Sequence, residues 1–277
     1  MPGLEDELGD VVRKARSGLG IEPAELAQQV GLSEADLKDV EAYRHRPDEA
    51  QVRRLAQALH LRPDQLWDLA AETWSAPEVP WQIGETYTID RLTNHYPEHC
   101  YVVADRDGNC LIVDPGAEAE RIVETATRDG RRPAGILITH YHQDHTGAVV
   151  PVQQATGAPV YVHEADRQGV EGVPAGAVKT FAGDGDLAVG PFGVRTLHTP
   201  GHTAGSTTYV LMAGGQTAAF CGDTLFAGSV GNARAGYDKI LDSVRNKLAR
   251  LPEEMALYPG HGPATTVANE RERNPFL

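Results

Sequence analysis

Cysteine is scarce in this chain of 277 residues. There are three, Cys100, Cys110 and Cys221, and no two have C-x-x-C spacing, which leaves out a C-x-x-C metal or redox site. Each sits in or beside an apolar, strand-like run, as a buried thiol does in a reducing compartment. Cys221 stands two residues from Asp223, yet its apolar neighbours make strand packing the expected role. Basic residues are also in deficit, 25 Lys+Arg against 39 Asp+Glu, and the formal charge of −14 disfavours general affinity for nucleic acid. No apolar run approaches the roughly 18 residues of a membrane span. The acidic start, Met1 to Glu7, has no signal-peptide pattern, so a cytoplasmic location is expected. There is no internal repeat and no low-complexity segment. Hydrophobic residues, at 41%, suffice for a substantial core in one large domain or two.

What the chain does have is histidine in a tight group. The run Thr139-His140-Tyr141-His142-Gln143-Asp144-His145-Thr146-Gly147 follows the apolar stretch Gly135 to Ile138. An apolar run ending in polar residues reads as a buried strand feeding a loop. On a strand, His140 and His142 point to one side and can reach one metal, while Asp144 and His145, where the chain turns away, can reach a second. Imidazole nitrogens and a hard carboxylate oxygen suit zinc, with iron or manganese as substitutes. Three later segments set further ligand types among glycines and prolines: His198 to Ser206, which contains His202; Phe220 to Phe226, which contains Asp223; and Tyr258 to Pro263, which contains His261.

The ordered set His-x-His-x-Asp-His, His, Asp, His resembles the metallo-β-lactamase superfamily. Gly222-Asp223-Thr224-Leu225-Phe226 and Tyr258-Pro259-Gly260-His261-Gly262-Pro263 resemble the glyoxalase II (hydroxyacylglutathione hydrolase)-like thioesterases within it, and Asn269 to Leu277 resembles the ending of their shorter bacterial members. The similarity runs from about Ile83 to Leu277. It implies an α/β fold, the αββα sandwich, with two divalent metal ions at one edge. His140, His142 and His202 would hold the first ion, Asp144, His145 and His261 the second, and Asp223 would bridge them. Asp144 and Asp223 are the candidate catalytic carboxylates. The implied activity is hydrolysis of a small-molecule thioester through a metal-bound hydroxide. Asp114, in Val113-Asp114-Pro115-Gly116, matches a family position near the site, where it either orients a ligand histidine or starts a turn before proline. Relatives place a basic residue after Gly231, but this chain has Asn232, with Arg234 and Tyr237 nearby. Glutathione as the thiol is therefore less supported than thioester hydrolysis itself. Persulfide dioxygenases share the fold and use one iron on the equivalents of His140, His202 and Asp223, which makes them the alternative enzymatic reading.

The front of the chain is different. It lacks strand-like alternation and has apolar residues at helical spacing, in helices marked by Val11, Val12 and Ala15; by Leu26, Ala27 and Val30; by Leu37 and Val40 after the N-cap Ser33; by Val52, Leu55, Ala56 and Leu59; and by Leu66 and Leu69. Glu25 to Ser33, Val40-Glu41 and Leu55 to Leu59 resemble a Cro/repressor-type helix-turn-helix domain. The expected division is a small all-α domain over 1–71, a linker over 72–82 and the hydrolase domain over 83–277. The residues that would meet DNA are acidic: Glu34, Asp36, Asp39 and Glu41 against Lys38 alone. Residues 1–72 hold nine Lys+Arg and fifteen Asp+Glu, net −6, so repulsion from a phosphate array should outweigh Arg44, Arg46, Arg53 and Arg54. A packing or dimerisation module is expected in preference to a DNA reader, and a metabolite-sensing regulator is the non-enzymatic alternative. Trp67, Trp74 and Trp81 cluster near the linker, which suggests packing on a partner surface, either this chain's hydrolase domain or a second copy in a homodimer.

In between, strands are expected over Asn94–Val103 and Asn109–Val113, joined at Asp107-Gly108, and over Pro159–Val162, Gly193–Leu197, Thr207–Leu211 and Thr217–Cys221. Helices are expected over Ala117–Thr127 and Tyr237–Leu251, the second with Ile240, Leu241, Val244, Leu248 and Leu251 on one face.

Overall fold

The computed structural model describes residues 3–213 and 215–277. Five short helices come first: α1 (Leu8–Gly18), α2 (Pro23–Val30), α3 (Glu34–Glu41), α4 (Glu49–Ala58) and α5 (Pro63–Ala70). Their boundaries follow local chemistry. Proline opens α2 and α5, where its missing N–H is not needed. Ser33 and Asp48 cap α3 and α4 by accepting from the backbone N–H three residues on. Gly31, left-handed at φ 71°, ends α2.

The rest is a two-sheet sandwich. One sheet has seven strands in sequence order: β1 (Gln82–Ile83), β2 (Tyr87–Thr93), β3 (His99–Asp105), β4 (Asn109–Val113), β5 (Arg132–Leu137), β6 (Val160–His163) and β7 (Val178–Phe181). The other has six: β8 (Gly185–Val189), β9 (Phe192–His198), β10 (Thr207–Ala213) and β11 (Gln216–Gly222), then β14 (Ala256–Pro259) and β15 (Thr265–Thr266) beyond β11. A two-strand ribbon, β12 (Leu225–Phe226) and β13 (Ser229–Val230), leaves the sandwich after β11. Residues of alternate pleat separate onto two faces. Tyr101, Val103, Leu111 and Val113 meet Tyr209, Leu211, Phe220 and Tyr258 between the sheets. Val102, Ile112, Ile136 and Val160 face α6 (Ala119–Thr127) and α8 (Val149–Thr156) on the outside of the first sheet. The short α7 (Gln143–Thr146) precedes α8, and α9 (Tyr237–Asp242) and α10 (Val267–Arg273) lie later in the chain.

Several expectations shift. The third strand begins at His99, not Asn94, because Asn94 turns back on Glu98 through its backbone N–H and its side chain. The amphipathic segment from Tyr237 is not one α-helix. It passes from α9 through a π-helical turn, Ser243–Lys247, to a 3-10 turn, Leu248–Arg250, while keeping Ile240, Val244 and Leu248 buried. All three cysteines are buried, and burial pushes the Cys110 thiol up to about 11. No helix among the described residues is long and apolar enough to cross a membrane.

The helical domain and the second sheet share one core. Leu26, Leu55 and Leu66 belong to the same apolar cluster as Val210, Ala219, Ile240, Val244 and Phe276. The tryptophans pack within this chain: Trp67 on that cluster, Trp74 over Gly228, and Trp81 5.6 Å from the Tyr258 ring. Residues 72–81 therefore lie against the sandwich, with the Tyr258 hydroxyl bonded to Pro80 O.

Candidate metal centre

Strand β5 ends at Leu137, so His140 and His142 stand in the loop beyond it and not on the strand itself. The loop still brings them together, with ring centroids 4.7 Å apart. A group of Asp114, His140 and His145 links two clusters of potential ligands. In one, potential ligand atoms of His140, His142 and His202 lie within 4.8 Å of one another; in the other, those of Asp144, His145 and His261 do. Asp223, at the end of β11, stands between them. Its Oδ2 is 3.5 Å from His202 Nε2, and its Oδ1 is 3.3 Å from His145 Nε2 and 3.9 Å from His261 Nε2. Asp144 Oδ2 lies 3.3 Å from His261 Nε2. All seven residues singled out in the sequence thus converge.

The ring orientations are set from behind. His202 Nδ1 bonds the backbone carbonyl of Asn232 at 2.8 Å, which turns Nε2 towards the site. Thr139 Oγ1 meets His140 Nδ1 at 3.1 Å. Asp114 does both things its position allowed. Left-handed at φ 50°, it turns the chain, and it also accepts from Thr139 N and Thr139 Oγ1 while Oδ2 meets His145 Nδ1 at 3.0 Å. Gly260 is required for close approach: a Cβ there would run into His145 and Asp223.

Charge follows this packing. Burial holds His140 far below the usual imidazole range and takes His202 down to about 4, so both rings are neutral and able to donate a lone pair. Burial opposes charge on Asp223 too, but His145 and His202 outweigh it and keep it ionised well below the carboxylate range. The residues fit divalent cations. Among the described residues, His140 Nε2, His142 Nε2, His145 Nε2 and Asp223 Oδ1 are buried without a hydrogen-bond partner. Each such atom costs about 1–3 kcal/mol, so four in one place constitute a site that a cation would relieve.

Comparison with known proteins agrees with this geometry. Residues 93–261 match the Metallo-beta-lactamase superfamily. The chain belongs to that superfamily. Residues 7–69 match a helix-turn-helix domain, so the architecture is an N-terminal helix-turn-helix domain followed by the metallo-β-lactamase sandwich. The probable metallo-hydrolase YqgX of Bacillus subtilis is 36% identical over 188 residues, 62% of this chain and 88% of that protein. Hydroxyacylglutathione hydrolase GloC of Haemophilus influenzae is 31% identical over 200 residues, 66% of this chain and 93% of that protein. Among solved structures, BLEG-1 B3 metallo-beta-lactamase superposes with a TM-score of 0.62 at 32% identity, over 69% of this chain and 99% of that one. TTHA1623 in a di-iron-bound form gives 0.58 at 34%, over 68% and 100%. The superfamily supports a metal-dependent hydrolase that takes a small-molecule substrate.

Sequence reasoning did not single out two parts of the site. Glu98 is fully buried beside His145, 3.8 Å from its Nδ1. Glu5, Arg13 and Tyr43 of the helical domain line the cavity over the metal centre. Glu98 carries no signal beyond a carboxylate ahead of an apolar strand, and the helical residues depend on how the two domains dock. On the outer face of that domain, Arg44 is bonded to Asp39, Arg53 to Glu49 and Asp64, and Lys38 to Glu34. Arg54 donates to Val30 O.

Proposed function

We propose that this chain is a binuclear metal-dependent thioesterase of the glyoxalase II type. The observation that carries the reading is the pair of three-ligand clusters with the Asp223 carboxylate between them. The Gly222 to Phe226 segment and the 31% identity to hydroxyacylglutathione hydrolase GloC favour a thioester as substrate. His140, His142 and His202 would hold one cation and Asp144, His145 and His261 the other, with Asp223 shared; zinc fits this donor set, as do iron and manganese. Bound there, the ions would lower the pKa of a water towards neutrality and polarise a carbonyl.

The chain's own groups do the rest. Asp114, Thr139 and the Asn232 carbonyl fix three of the rings, so that no reorganisation is needed as charge develops. Asp144 is the ligand carboxylate most open to the cavity, its side chain 34% exposed against 10% for Asp223. It is placed to take the proton of the attacking water and return it to the leaving thiolate. That thiolate departs without a protein nucleophile, since a thiol has a pKa of about 8.5.

The test is turnover of a panel holding S-lactoylglutathione, other acyl-thiols, a lactone and a β-lactam by metal-loaded protein. The reading requires an acyl-thiol to be cleaved fastest. No acyl-thiol turnover, or preference for the lactone or β-lactam, would sink it.

A further inference from the structure

A cavity of about 580 Å³ lies over the metal centre, in the range of small-molecule sites. His142, Asp144, His202 and His261 line it from the hydrolase domain, and Glu5, Asp6, Asp10, Arg13, Lys14 and Tyr43 line it from the helical domain. The two walls are fixed to each other. Lys14 of α1 is buried, forms an ion pair with Asp6 and donates to Val230 O at 2.8 Å. Ser229 Oγ donates to the same Asp6 carboxylate. Val230 lies two residues before Asn232, whose carbonyl orients His202, so α1 is anchored to the loop that shapes the metal centre.

Tyr43 is the aromatic residue that the helical domain brings to that wall. It follows α3 in the left-handed region at φ 60°, the conformation that closes this helix as it closes α4 at His60 and α5 at Glu72. The residue is 54% exposed. An exposed aromatic ring at a cavity rim offers a ligand a large contact face with a polar tip. Arg13 shares the rim. Its guanidinium is bonded to Asp10 and donates to Glu41 O, but the side chain remains 46% exposed and keeps its remaining N–H groups for a second carboxylate. On the hydrolase side Arg234 lines the cavity, exposed and without an ion-pair partner among the described residues.

We propose that the helical domain is the outer wall of the substrate cavity, where Tyr43 and Arg13 hold the remote, carboxylate-bearing end of a small thioester whose acyl carbon faces the histidine cluster. This rests on the thioesterase reading above. In this role the helix-turn-helix scaffold selects a small molecule. Its position over the hydrolase site, with its outer cations tied to neighbouring acids, fits that use.

The experiment is calorimetric binding of inert thioethers to the metal-loaded full-length chain. S-methylglutathione carries carboxylates; 2-(methylthio)ethanol does not. The carboxylate probe should bind, and the neutral one at least about tenfold more weakly, the equivalent of about 1.4 kcal/mol. Tyr43→Gly and Arg13→Ala should each weaken S-methylglutathione binding several-fold with metal content unchanged. Glycine suits the left-handed position after a helix, so a loss of binding in Tyr43→Gly without a loss of thermal stability separates ligand contact from folding. Unchanged binding in both variants, equal binding of the two probes, or no binding of S-methylglutathione would overturn the proposal. Binding that follows this pattern without turnover of any thioester would sink the thioesterase reading and leave the cavity wall standing.

Discussion

The Asp114 carboxylate lies 3.0 Å from His145 Nδ1, while the other nitrogen of that ring faces Asp223 Oδ1 at 3.3 Å. One buried acid thus sets the direction of an imidazole lone pair. Asp114→Asn keeps the size and loses the charge and the acceptor geometry. Metal affinity should fall about 10- to 100-fold, as it does when such orienting groups are replaced. Competition with a chromophoric chelator measures it, and an unchanged affinity would reduce Asp114 to a turn residue.

Asp223→Ala removes the carboxylate between the clusters. Thioester turnover should disappear and the metal count should fall below that of the unmodified chain, read by elemental analysis. The same analysis, with an oxygen electrode and glutathione persulfide, separates hydrolase from mono-iron dioxygenase. Two metals per chain and no oxygen uptake are expected; one iron with oxygen uptake would reverse the assignment.

Glu98 is fully buried, and burial raises its carboxyl far above the usual range against the pull of His145. A carboxyl with a raised folded-state pKa contributes stability that is complete below its unfolded pKa and is lost as pH rises towards the folded value. Glu98→Gln carries no such dependence. Urea melts of the two proteins in chelator from pH 5 to pH 8 should show the variant gaining on the unmodified chain as pH rises. A constant difference would mean that Glu98 does not keep its proton.

Lys14 and Asp6 form a buried pair, with side chains 6% and 7% exposed. Replacing Lys14 with Met leaves Asp6 without its cation, and a broken buried pair costs about 3–5 kcal/mol. Because the helical domain shares its core with the second sheet, the loss should appear as one cooperative unfolding transition at lower urea. Two separate transitions would show that the domains are independent.

A gel shift at 50 mM salt should show no retardation of duplex DNA by the full-length chain. The acids of α3 bind the local cations, Arg16 to Glu41 and Arg44 to Asp39, and leave little charge for phosphates. Salt-sensitive retardation would restore the regulator reading.

The sequence marked seven candidate ligands because residues of the right types stand at turns after apolar runs, a pattern that packing alone has no reason to produce. It disclosed the five helices through caps and spacing. It misplaced His140 and His142 on the strand, since nothing in Ile138-Thr139 marks where pairing stops; that is decided by Asp114, which accepts from Thr139 N in place of a ladder bond. The role of Asn232 was hidden for a related reason. It acts through its backbone carbonyl, which every residue has, so the identity of its side chain says nothing of it. Tyr43 and Arg13 were hidden because their place at the cavity depends on how two domains meet.

Phe276 is fully buried in the core that includes the helical domain, and Pro275 O accepts from Arg62 N at 2.9 Å. The ribosome makes α1 to α5 first and Phe276 more than two hundred residues later. Through most of synthesis the helical bundle has an apolar flank uncovered, and that flank closes only once Phe276 has been made.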